Sequence, residues 1–246
     1  ERPATARADP ATDRIGWESS VGYGRLAPPA LADGRLLVGD ADGTVTAVSS
    51  GDGAVEWTFE AGGGRAIRPT PRVVDDHVLV VSGGHREHRA VHGLAPATGE
   101  ERWRFAPQER RLTVLGAGEG AVFVATSAEP IETAGETLYA LALADGTTRW
   151  TAETGDATDG LVTDGTVYVP SRGKVEAVGV DGEVAWRYEG ADYQSGTLAV
   201  AGDTVAFVTA AERRAPTVRG LDTATGEERW VFEDWRAFTT RAVDGR

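Results

Sequence analysis

Three of the chain's four histidines, His85, His88 and His92, fall in the stretch HREHRAVH. Imidazoles at that spacing are within reach of one divalent metal. A solvated polar loop is the plainer account of the same residues, and no metal is assigned to them. Asp40-Ala41-Asp42-Gly43 begins like a calcium loop, but the ligand series stops there, which fits a tight hairpin. No G-x-S-x-G, H-E-x-x-H or P-loop pattern is present. Cysteine is absent, which removes disulfides and thiolate metal sites. No residue is assigned a catalytic role. A second group is more informative: Arg25, Arg68, Arg111 and Arg236, with Asp156 and Gln194 at equivalent places and Tyr23, Tyr193 and Trp235 beside them. Guanidinium forks suit carboxylates and phosphates. Whether these residues converge depends on the elements that carry them.

The chain has 246 residues, within the range of one large β domain. Its 38 acidic and 25 basic residues give a net charge of −13, and the only lysine is Lys174. Such a surface repels nucleic acid and anionic lipid, so no nucleic-acid partner is expected. Acidic surfaces poor in lysine resemble those of salt-adapted proteins; the functional alternative is an acidic surface for a cationic partner. No apolar run approaches the roughly 20 residues of a membrane span, and no signal peptide is visible. Methionine is absent even at position 1, so either the start is processed or the chain is cut from a longer one.

The elements follow from a repeat. Trp17, Trp57, Trp103, Trp150, Trp186 and Trp230 are separated by 40, 46, 47, 36 and 44 residues. Four positions before five of them sits a glycine: Gly53, Gly99, Gly146, Gly182 and Gly226. Nine or ten positions before sits a small residue: Ala47, Gly93, Ala140, Ala177 and Gly220. The seven residues ATGEERW occur twice, at 97–103 and 224–230. After each tryptophan come two short apolar runs around a two-residue turn, centred on Asp33-Gly34, Asp75-Asp76, Glu119-Gly120, Asp164-Gly165 and Gly202-Asp203. An Asp-Gly pair supplies the positive φ of a hairpin turn. Each unit therefore holds four short strands, A to D, with the hairpin turn between A and B, the small residue on C and the tryptophan on D. No stretch keeps a helical period. Four-stranded units of about 40–45 residues predict an all-β β-propeller of antiparallel blades. The tryptophan is expected to fill the seam between blades.

The stretch GLDTATGEERW at 220–230 resembles the tryptophan-docking motif A-x-D-x-x-T-G-x-x-x-W of the pyrroloquinoline quinone (PQQ)-like repeat propellers, with Gly220 in the Ala position. The resemblance recurs five times and covers nearly the whole chain. It implies one of two settings. Quinoprotein dehydrogenases hold PQQ and Ca²⁺ on the propeller axis, with a carboxylate base, carboxylate and amide ligands and often a vicinal disulfide. Non-catalytic scaffolds such as the BamB-type assembly lipoproteins form the other group. This chain has no Cys and no Asn, which favours the second. No cofactor is expected there; PQQ and Ca²⁺ belong to the oxidoreductase alternative. The resemblance also implies a location outside the cytoplasm or at the cell surface.

Complete blades are expected at about 25–59, 65–105, 110–152, 156–188 and 193–232 in a single propeller domain. The two ends, 4–19 and 236–246, give a partial sixth blade lacking strand B; the family resembled usually closes its rings with more blades, which favours a fragment of a larger propeller over a six-bladed ring with a defective closing blade. In a propeller the D–A and B–C connections share one face, and the A–B and C–D turns share the other. The C–D and A–B turns here are uniform, while the B–C loops vary, as binding loops on a rigid scaffold do. The nine residues Arg25, Arg68, Arg111, Asp156, Gln194, Arg236, Tyr23, Tyr193 and Trp235 lie at or beside the starts of the A strands, on that variable face. The expectation is a funnel for a small anionic ligand or an acidic peptide, or a docking place for a protein partner. Local pairing of the arginines with acidic loop neighbours is the competing account.

Overall fold

The computed structural model describes residues 16–22, 24, 26–62, 65–67, 70–83, 89–107, 111–127, 136–155, 157, 159–171, 173–191, 198–209 and 217–233. Among them the chain is all β, in five four-stranded sheets. Blade 1 is β1 (Ala30–Ala32), β2 (Arg35–Gly39), β3 (Thr44–Ser49) and β4 (Val55–Glu60). Blade 2 is β5 (Arg72–Val74), β6 (His77–Ser82), β7 (Ala90–Leu94) and β8 (Glu101–Phe105). Blade 3 is β9 (Arg111–Gly118), β10 (Ala121–Ser127), β11 (Glu136–Ala142) and β12 (Thr148–Thr154). Blade 4 is β13 (Leu161–Thr163), β14 (Thr166–Ser171), β15 (Gly173–Gly179) and β16 (Val184–Ala191). Blade 5 is β17 (Ala199–Ala201), β18 (Thr204–Thr209), β19 (Thr217–Asp222) and β20 (Glu228–Glu233). Strands pair in chain order and antiparallel, so each blade is a meander.

Every A–B connection is a two-residue turn at the predicted place. Ala32 pairs with Arg35, Val74 with His77, Gly118 with Ala121, Thr163 with Thr166 and Ala201 with Thr204. Asp33 and Gly34 take φ of 43° and 77°, and Asp164 and Gly165 take 49° and 71°. Two successive left-handed residues give the turn whose twist matches that of the flanking strands.

The small residue of strand C lies opposite the tryptophan of strand D in all five blades: Ala47 opposite Trp57, Gly93 opposite Trp103, Ala140 opposite Trp150, Ala177 opposite Trp186, Gly220 opposite Trp230. At Gly93 and Gly220 even a Cβ would collide with the indole. Immediately after each of these pairs the register shifts by one residue. This bulge leaves the residue before each tryptophan unpaired and re-aims it.

Packing divides the chain into two compact units, Glu1–Arg110 with blades 1 and 2, and Arg111–Arg246 with blades 3 to 5. Within each unit the core lies between sheets. In the first, Leu37, Val45 and Trp57 of blade 1 pack against Val78, Val80 and Leu94 of blade 2. In the second, Phe123 and Leu138 of blade 3 meet Val167 and Val169 of blade 4, and Tyr168, Val175 and Trp186 of blade 4 meet Val205, Phe207 and Leu221 of blade 5. A single blade cannot bury both of its faces, so the sheets stabilise one another.

Candidate functional site

Four indole N–H groups donate to a carbonyl in the C–D turn of the following blade: Trp17 to Ser50 at 2.9 Å, Trp57 to Pro96 at 2.9 Å, Trp150 to Val180 at 2.8 Å and Trp186 to Thr223 at 2.9 Å. The ring lies against the turn glycine. A Cβ at Gly53 would sit 2.5 Å from Trp17, and one at Gly226 would sit 2.6 Å from Trp186. Those glycines have φ of 73° and 72°, so both backbone and space require glycine. Gly99 and Gly182 meet Trp57 and Trp150 in the same way, and Gly146 shares the left-handed backbone. Trp103 is buried on β8. Trp230, on the last described strand, is 43% exposed with Phe232 beside it at 55%.

The remaining residues of ATGEERW also have fixed jobs. In both copies the glutamate two before the tryptophan reaches a polar residue on strand C of its own blade. Glu101 accepts from His92 Nδ1 at 2.7 Å, and Glu228 accepts from Arg219 Nη1 and, at 2.7 Å, from the Tyr188 hydroxyl of blade 4. The arginine just before the tryptophan occupies the bulge and reaches back to the A–B turn. Arg102 donates to the Asp76 carboxylate at 2.8 Å and carbonyl at 2.9 Å, and Arg229 donates to the Asp203 and Asp222 carboxylates. These guanidinium bonds hold the carboxyls of Asp76, Asp203 and Asp222 below the ordinary range. Arg149 makes the same reach, to the Glu119 and Gly120 carbonyls. Blade 1 inverts the charges, with Arg35 Nε donating to Glu56 at 2.5 Å.

In blades 2, 4 and 5, the strand C residue before the small residue faces the preceding blade. In blade 2 this is His92, whose ring meets Phe59 of blade 1 at 5.2 Å. In blade 4 it is Glu176, which accepts from Lys174 at 2.8 Å, from Arg187 at 2.6 Å and from Thr154 of blade 3 at 3.3 Å. Burial pushes the Glu176 carboxyl up, but the bonds from Lys174 and Arg187 outweigh it and leave it below the ordinary value. In blade 5 it is Arg219, against Tyr188 of blade 4. The one lysine of the chain is thus committed to a buried carboxylate.

A further periodic position was not legible beforehand. Three residues beyond the strand B partner of each small residue sits a buried polar group: Asp40, Ser82, Thr126, Ser171 and Thr209. Four of them fasten the B–C connection. The Asp40 carboxylate accepts from the backbone N–H groups of Asp42 and Thr44 at 3.0 and 2.9 Å, so Asp40-Ala41-Asp42-Gly43 is a tight turn. Thr126 donates to the Thr137 carbonyl, Thr209 to that of Thr217, and Ser82 pairs with His92. The Ser171 hydroxyl is buried with no hydrogen-bond partner. Their signal was a polar residue recurring at blade spacing at the end of an apolar run.

Ser82, His92 and Glu101 form a chain in the order of a hydrolytic triad: Ser82 Oγ to His92 Nε2 at 2.7 Å, and His92 Nδ1 to Glu101 at 2.7 Å. The resemblance stops at access. Ser82 is 0% exposed and His92 1%, in a seam between blades, so no acyl donor reaches the hydroxyl. His85 and His88 lie outside the described residues. His92 points both ring nitrogens at protein partners, and no cluster of metal-binding side chains occurs among the described residues. Of the axial group, Arg111 has a described backbone. It opens β9 opposite Ser127, at the end of blade 3 where the B–C connection leaves. Arg25, Arg68, Asp156, Gln194, Arg236, Tyr23, Tyr193 and Trp235 lie outside the described residues.

Blades, docked tryptophans and bulged outer strands find their match among known families. The profile of the PQQ-like repeat family described as outer membrane protein assembly factor BamB matches residues 4–124, 67–178 and 134–244 in overlapping passes. The chain belongs to this family. Among BamB proteins, it is 27% identical over 203 residues to that of Moranella endobia (strain PCIT), covering 75% of this chain and 47% of the relative. It is 25% identical over 181 residues to that of Yersinia pestis, covering 70% and 44%. The chain therefore spans about half the length of the curated relatives it matches. The fold matches the crystal structure of BamB from Moraxella catarrhalis with a TM-score of 0.60 and 19% identity, over 81% of this chain and 61% of that one. It also matches the computationally designed protein Ika8, with a TM-score of 0.70 and 18% identity over 92% and 68%. The quinohemoprotein alcohol dehydrogenase of Comamonas testosteroni has a TM-score of 0.50 at 14% identity, over 89% and 61%. A likeness at these identities is one of fold, and one fold hosts many functions. No described helix is long and apolar enough to cross a membrane.

Proposed function

We propose that the chain is a non-catalytic binding scaffold working outside the cytoplasm, with its working surface on the D–A and B–C loop face. The observation that carries this reading is the run of BamB-family matches from residue 4 to 244. The described polar clusters agree with it: the guanidinium and carboxylate groups of the repeat motif are spent on turns and seams. The relatives are assembly factors by name, which favours a protein or peptide partner over a metabolite. On this chain the ligand is an acidic peptide segment or a small carboxylated molecule, drawn by Arg25, Arg68, Arg111 and Arg236 in a protein of net charge −13. No resident cofactor is part of the reading.

Fluorescence anisotropy with a fluorescein-labelled octaglutamate tests it. Binding should be weakened by Arg111→Ala and by Arg25→Ala, and unlabelled octaserine should not compete. Stoichiometric uptake of PQQ with Ca²⁺, with dye-linked oxidation of an alcohol or sugar, would replace the scaffold with the oxidoreductase alternative.

A further inference from the structure

In the Ser82–His92–Glu101 chain the hydroxyl and the titratable imidazole are buried in the seam between blades 1 and 2, while the Glu101 side chain is 37% exposed. We propose that this hydrogen-bonded chain is an acid-released latch: neutral His92 holds this seam closed, and its protonation loosens it.

The hydrogen bonds define the closed form. Glu101 is acceptor-only when ionised, so His92 Nδ1 carries the proton and donates at 2.7 Å. His92 Nε2 then accepts from the Ser82 hydroxyl at 2.7 Å. A second proton on Nε2 turns that acceptor into a donor facing a hydroxyl that must rotate. Ser82 is fully buried, so no water takes up the displaced O–H. The ring also packs edge-on to Phe59, at 5.2 Å and 61°. Phe59 lies two residues beyond Trp57, whose indole docks on Pro96 and Gly99 across the same seam. Movement of the His92 ring is therefore felt by the apolar contact between the blades.

Of the charges around the ring, Glu101 favours its protonation and Arg104 and Arg65 oppose it. Strand β8 brings Glu101 and Arg104, and Arg65, in the connection between the blades, adds a weaker repulsion. Strands β4 and β6 contribute the uncharged Phe59 and Ser82, and β7 adds no other charge. Burial is the largest influence and holds the imidazole below its ordinary value of 6.5, against the pull of Glu101. An opened or unfolded chain binds the proton more readily. The latch is thus fully closed above about pH 6.5 and weakens as pH falls below it. The other described seams lack this property. Glu176 is shifted down and Tyr188 up, so neither titrates in that window.

Hydrogen exchange at pH 7.5 and 5.0, corrected for intrinsic rates, reads the latch. In the wild-type chain the opening constant of β4 and β7 should rise by up to about tenfold per pH unit for one proton, while β16 and β19 stay unchanged. His92→Gln, which donates and accepts but does not titrate, should abolish the pH dependence. The same dependence in His92→Gln, or an equal rise in every seam, overturns the proposal. Should that variant not fold, Glu101→Gln, which removes the carboxylate that favours protonation in the closed form, should leave the onset near pH 6.5 and extend the rise in opening to lower pH. A ¹³C-histidine titration of the wild-type chain adds a direct check: a His92 midpoint at or above the ordinary histidine value contradicts the latch.

Discussion

Trp186 and Gly226 are in such close contact that a Cβ on the glycine would sit 2.6 Å from the indole Cδ2. The glycine's φ of 72° adds a conformational requirement to the steric one. Gly226→Ala should therefore cost about 2–4 kcal/mol, the sum of a left-handed alanine and an overpacked seam. Gly202 in the same blade has a φ of 57° with nothing within 4 Å of a built Cβ. Gly202→Ala should cost about 1 kcal/mol, the backbone part alone. Urea denaturation of both variants separates the docking contribution from the turn.

The indole N–H is the second half of the dock. Trp186→Phe keeps an aromatic ring but leaves the Thr223 carbonyl without its donor, at a cost of about 1–3 kcal/mol. Trp230→Phe removes the same atom from an exposed ring and should stay within about 0.5 kcal/mol of wild type. Thermal unfolding distinguishes a motif that acts by docking from one that acts by composition.

The buried hydroxyls at the ends of the B strands should split by partner. Ser82→Ala leaves His92 Nε2 without its donor and should destabilise by about 1–2 kcal/mol. Ser171→Ala removes a hydroxyl that is buried without a partner, and should stabilise by about 1 kcal/mol. Denaturant midpoints of the two variants should move in opposite directions.

Glu176 gives the chain a second, more acidic pH response. Its folded-state value lies below the ordinary 4.5, so its contribution is present above about pH 4.5 and is lost as pH falls through the folded value. Lys174 and Arg187 are partly open to water, so the pair is worth only about 1–2 kcal/mol. Glu176→Gln should be less stable than wild type at pH 7 and should lose less stability on going to pH 3. Chemical denaturation at the two pH values checks this.

The architecture was legible because its signals are local. A Gly four residues before a Trp, and an Asp-Gly pair between apolar runs, each set one turn, and their recurrence gives the blade. In ATGEERW, Gly99, Trp103, Gly226 and Trp230 are legible because they fall on the repeat's glycine and tryptophan positions. The roles of Glu101, Arg102, Glu228 and Arg229 in it were not read, because they depend on a bulge. One inserted residue decides whether the side chain before the tryptophan points into the seam or reaches the A–B turn. The His92 partners were hidden for a related reason. HREHRAVH looks continuous, but His92 lies within a strand, where its neighbours are set by pairing with β6 and β8 and not by sequence distance. The funnel expectation rests on counting back from turns, which places a backbone, as it does for Arg111 at the head of β9, but leaves side-chain direction to loop conformation.

The most direct test of the account is amide chemical-shift mapping as octaglutamate is added to the ¹⁵N-labelled protein. The scaffold reading predicts perturbations grouped at the ends of the B strands and the start of β9, around Gly83, Arg111, Thr126 and Thr209. The C–D turns at Ser50–Gly53 and Asp222–Gly226 should remain unshifted. Perturbations grouped at those turns, or none at saturating peptide, would contradict it.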